Sequence, residues 1–140
     1  MVASLPPRRS PAAARLDPIP VAWGGLVASI GLMAGAGRDW PLRLAASALS
    51  FGIGGFLAGV RAAGRRPAHA VGAWLAGYAI HAAFIAIASV IQAFGGREAP
   101  AIAPGTGRDW LLAAAWALAF ALLGGLVANS WLRPAGRHPR

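Results

Sequence analysis

Residues 37–40 read GRDW and open the apolar run WPLRLAASALSFGIGGFLAGV at 40–60; residues 107–110 read GRDW again and open WLLAAAWALAFALLGGLVANSWL at 110–132. A diglycine stands fourteen residues past each tryptophan, Gly54-Gly55 and then Gly124-Gly125. A basic turn closes each run, AGRRP at 63–67 and AGRHP at 135–139. A further apolar run precedes each GRDW, at 18–36 and at 68–94. The pattern predicts an all-α fold: a polytopic membrane four-helix bundle built from two duplicated transmembrane hairpins. Two spans per repeat would give both halves the same topology, related by an axis along the membrane normal.

Composition agrees with that expectation. A chain of 140 residues has room for one domain. Its 57% hydrophobic content, mean hydropathy of +0.57 and 12% charged residues lie outside the usual range of soluble domains. Charge is absent from four stretches of about 17–27 residues, the length a helix needs to cross the hydrocarbon core. The spans are placed at about 18–36, 40–60, 68–94 and 110–132, between a disordered tail at 1–17 and a basic tail at 133–140. Ala34-Gly35-Ala36 resembles a signal-peptide cleavage site, but the repeat requires a retained helix ahead of the first GRDW. The prolines fall at helix ends or in loops, which disfavours the broken helices of many transporters.

Every one of the 13 basic residues is Arg; with the Ala and Gly richness this points to a GC-rich bacterial genome. The net charge of +9 is not a nucleic-acid footprint, because the arginines are split among tails and one short turn. Nine arginines and Asp17 flank one set of span ends. Arg38, Arg43, Arg97 and Arg108 share the other with Asp39, Glu98 and Asp109. The positive-inside rule then places both termini in the cytoplasm of a bacterial inner membrane. Arg61, Arg65, Arg66, Arg133 and Arg137 become candidates for contact with anionic lipid headgroups.

GRDW itself is explained by structure. Glycine ends one segment, Asp39 or Asp109 caps the next helix, Trp40 or Trp110 sits at the interface, and Arg43 pairs with Asp39. Gly31/Gly35 and Gly55/Gly59 are GxxxG pairs, and Gly124/Ala128 is a looser relative; all six are candidate close-packing positions.

The third span carries a polar stripe. At about 100° per residue, Trp74, Tyr78, His81, Ser89 and Gln92 fall within an arc of about 80°. An ionisable side chain near mid-span is a functional candidate by default, and Ser47 and Ser50 offer a partner stripe on the second span. All four acids lie outside the spans, however, so no carboxylate is available to relay a proton from His81. His69 and His138 are expected to be solvated at the boundary, and three scattered histidines make no metal site. Without cysteine there is no disulfide or thiolate site. No phosphate loop, nucleophile elbow or HExxH motif occurs, so no enzyme activity and no cofactor are expected.

The stretch GGFLAGVRAAGRRPAHAVGAWLAGYAIHAAF, Gly54 to Phe84, resembles small four-span bacterial integral membrane proteins of actinobacterial type. In these a diglycine helix leaves through Ala-Gly-Arg and a histidine-containing turn leads into the next helix. The resemblance implies a four-helix membrane protein and brings no activity with it. Small multidrug transporters have a glutamate within the first span, and fluoride channels have a polar Thr/Ser-Phe pore motif; this chain has neither. The expected role is a non-enzymatic structural or accessory component, working as a homo-oligomer or beside a larger membrane protein, with no nucleic-acid partner. The alternative is a small oligomeric permease or channel with its polar seam around His81.

Overall fold

The computed structural model describes residues 16–62, 64–96 and 107–132. Among them it is all-helical, with α1 (Pro18–Gly35), α2 (Trp40–Arg61), α3 (Arg66–Phe94) and α4 (Gly107–Trp131). Each helix is long and apolar enough to cross a membrane. The tails at 1–15 and 133–140 and the connection at 97–106 lie outside the described residues.

Helix starts follow local chemistry. Prolines occupy the first turns of α1, α2 and α3, where a missing N–H leaves no bond unmade. Asp17, placed by sequence in the tail, is the N-cap of α1, its carboxylate accepting from Ile19 N–H at 3.0 Å. Gly37, at φ +71°, turns the chain from α1 into α2, a backbone region that other residues seldom enter. Asp39 occupies the N-cap of α2 without a side-chain cap bond. The second GRDW behaves differently. There α4 already begins at Gly107, so Asp109 sits in the first turn of the helix, where its charge suits the positive end of the dipole.

Around the bundle the order is α1, α2, α4, α3, with α2 and α3 also touching across the middle and α1 and α4 apart. Small residues allow this closeness. A Cβ on Gly24 would lie 2.5 Å from Gly54 O, one on Gly25 would lie 2.5 Å from Ala76 Cβ, and one on Gly59 would lie 2.9 Å from Ala128 Cβ. Among the described residues, Phe51 is the one large apolar side chain fully buried. It packs with Ala28, Ala117 and Ala121 and stacks on Tyr78 with ring centroids 5.4 Å apart.

Large apolar side chains point outward instead. Leu49 is 68% exposed, Leu111 74% and Phe94 90%, and exposed Leu, Ile, Val, Phe or Trp side chains occur on all four helices. Small inside and large outside reverses the usual soluble arrangement and is the packing expected of helices associating in lipid.

Contacts between the two hairpins do not follow one register. Trp116 Nε1 donates to Leu44 O at 3.2 Å across 72 residues, and Gly59 faces Ala128. So α2 and α4 lie side by side in nearly the 70-residue spacing that separates Gly37 from Gly107. In contrast, α1 meets α3 in another register, with Val21 on Gly72, Gly25 on Ala76, and Asp17 bonded to His69 across 52 residues. Beyond Gly77 no α3 residue is buried, so only the first half of this 29-residue helix is packed tightly.

Candidate functional site

The polar stripe of α3 faces the bundle. Trp74, Tyr78, His81, Ser89 and Gln92 are all half-buried, whereas Leu75, Ala79, Ala82, Phe84, Ile87, Val90 and Ile91 are exposed. Trp74 and Tyr78 belong to the packing. Trp74 Nε1 donates to Ala114 O on α4 at 3.1 Å, and its ring meets Tyr78 edge-on at 5.7 Å. His81 lies three residues further on. Its Nδ1 is covered and has no hydrogen-bond partner among the described residues.

The serines do not extend this site into a chain of donors and acceptors. Ser47, Ser50 and Ser89 each donate to a carbonyl of their own helix, on Leu44, Ala46 and Ile85 respectively. Ser47 is buried. Ser50 fills the space beside Gly31, where an added Cβ would meet its Oγ, so it belongs to the α1–α2 contact and does not face α3.

The arginine-rich end is more tightly built than its composition suggested. Arg61 is exposed, with its guanidinium 5.9 Å over the Trp23 ring. Arg65 is exposed and left-handed at φ 48°. Arg66 is half-buried; Nη1 donates to Asn129 Oδ1 on α4 at 3.4 Å, and Nε is covered without a partner among the described residues. Arg133 and Arg137 lie outside the described residues, as does His138.

His69 corrects an expectation. Far from being solvated, it is 2% exposed. Asp17 N–H donates to its Nε2 at 2.9 Å, and its Nδ1 lies 3.2 Å from Arg65 O. The signal was present in the spacing: His69, Ala73 and Gly77 recur every four residues and form the buried face of α3. Proximity to the arginines hid it.

All six packing candidates lie between helices of one chain. Gly31 and Gly35 face Ser50 and Arg43 of α2, Gly55 faces Ala121 of α4, Gly59 faces Ala128, and Gly124 faces Gly52 and Phe56. Gly24, Gly25, Gly54 and Gly77 do the same work without being part of a strict GxxxG pair. At the GRDW end, Arg43 Nη2 donates to Arg38 O at 3.2 Å, a main-chain oxygen in place of the expected Asp39 carboxylate.

Comparison with protein-family models, curated proteins and solved structures finds no match. What can be said of function therefore comes from the residues themselves.

Proposed function

We propose that the chain is a four-span integral membrane protein of a bacterial inner membrane, with both termini cytoplasmic, acting as a non-enzymatic structural or accessory component. The observation that carries it is the distribution of side-chain size. Glycine, alanine and serine close the interfaces between helices, while the large apolar side chains face outward. Serine hydroxyls turned onto their own helices support a packing role over a conducting one. The two hairpins derive from one duplicated unit, a view supported by the repeated GRDW and diglycine and by the α2–α4 register. Arg61 and Arg65, exposed at the basic end, contact anionic headgroups, with Arg133 and Arg137 in the same role; Arg66 divides its guanidinium between headgroup and Asn129.

One observation favours a second reading. The unpartnered Nδ1 of His81, covered on the inward face of α3, is what a small oligomeric permease or channel would place along a polar seam. Flux measurements on purified protein in proteoliposomes separate the two. An accessory component gives no flux of protons, alkali cations or anions above empty vesicles, and it co-purifies from gently solubilised membranes with one fixed membrane protein. Robust flux that is lost in His81→Ala would establish the permease reading and overturn the accessory one.

A further inference from the structure

His69 joins two helix starts through both ring nitrogens. A carbonyl oxygen only accepts and a main-chain N–H only donates. The contacts to Arg65 O and Asp17 N–H are therefore both satisfied by one form of the ring: neutral, with hydrogen on Nδ1 and a free lone pair on Nε2. The ring is 2% exposed, so water offers it little alternative. Asp17 is the residue that caps α1, and the first fifteen residues of the chain, including Arg8, Arg9 and Arg15, lie just before its neighbour Leu16.

We propose that His69 is a proton-sensitive latch that holds the start of α1 against the start of α3 and releases it when the imidazole is protonated. An imidazolium carries hydrogen on both nitrogens. The Nδ1 bond to Arg65 O survives, but Nε2 then presents N–H to N–H at Asp17, and the bond between α1 and α3 is lost. Among the described residues the charged groups at this end are Asp17 on α1, Arg61 at the end of α2, and Arg65 and Arg66 at the start of α3; α4 contributes the neutral Asn129. Asp17 is a second titratable group, and its carboxylate holds Ile19 N–H. It must be separated from His69 by experiment. The latch stands independently of the accessory or permease role.

The absence of cysteine makes a single label unambiguous. Leu16, half exposed and adjacent to Asp17, is changed to Cys and carries a nitroxide, with the full chain held in lipid nanodiscs. The label is read from about pH 8 to about pH 5, which brackets the ordinary range of histidine side chains. Across that range the ratio of mobile to immobile label should rise about fivefold or more, the effect of losing one hydrogen bond. His69→Gln keeps an acceptor for Asp17 and a donor for Arg65, so its label should stay immobile throughout. His69→Ala should be mobile at both ends of the range. Asp17→Asn should retain the response. An unchanged ratio in the otherwise native chain, a response that persists in His69→Gln, or one abolished by Asp17→Asn would each overturn the latch.

Discussion

At the residue scale, the arginines at the basic end are not equivalent. Arg66 has a partner in Asn129 and a covered Nε, while Arg61 and Arg65 are exposed. A basic residue beside an anionic surface contributes about 1 kcal/mol, an effect that fades within a Debye length. Purified protein in neutral detergent should therefore gain thermal stability when phosphatidylglycerol or cardiolipin is added. The double variant Arg61→Gln, Arg65→Gln should gain clearly less, and added salt should narrow the difference. Equal gains in both proteins would remove lipid contact from the account. His69 was expected to be solvated at the boundary, yet it shares the buried face of α3 with Ala73 and Gly77 at a four-residue period.

Among the elements, α3 and α2 each touch the other three helices, α2 along faces of glycine and small residues. Its glycines differ sharply in what surrounds them. A Cβ at Gly55 would run into the carbonyl of Ala121, whereas at Gly52 the nearest atom, Phe120 O, is 3.8 Å away. Gly55→Leu should force α2 and α4 apart and cost about 1–3 kcal/mol or more. Gly52→Ala should be neutral or stabilising by about 0.5–1 kcal/mol, since alanine loses less freedom on entering a helix. Thermal unfolding in detergent reads both, and equal midpoints for the two variants would contradict the α2–α4 contact. Four helices were legible from charge-free run length, and the diglycines from their repetition. The register of α3 on α1 was not. Hydropathy sets where a helix begins and ends but not how far it slides along a neighbour, and that sliding is decided by contacts such as Gly25 on Ala76. For the same reason the stripe on α3 was legible as a face, while the inward turn of the Ser47, Ser50 and Ser89 hydroxyls was not.

For the whole molecule, the distribution of size and charge carries the membrane reading. Exposed apolar surface on every helix would promote association in water and is at home in hydrocarbon. The proposed direction rests on arginine: nine of the 13 flank one set of span ends in the sequence, an excess that under the positive-inside rule favours a cytoplasmic side for the termini and the α2–α3 turn and an outer side for the two GRDW segments. Because the native chain lacks cysteine, single cysteines placed at Ala103, between α3 and α4, and at Ala135, beyond α4, report sidedness directly. With an impermeant thiol reagent that reaches the outer face of the inner membrane, Ala103→Cys should be labelled in intact cells and Ala135→Cys only after lysis. Labelling of Ala135→Cys in intact cells, with Ala103→Cys protected until lysis, would contradict the account.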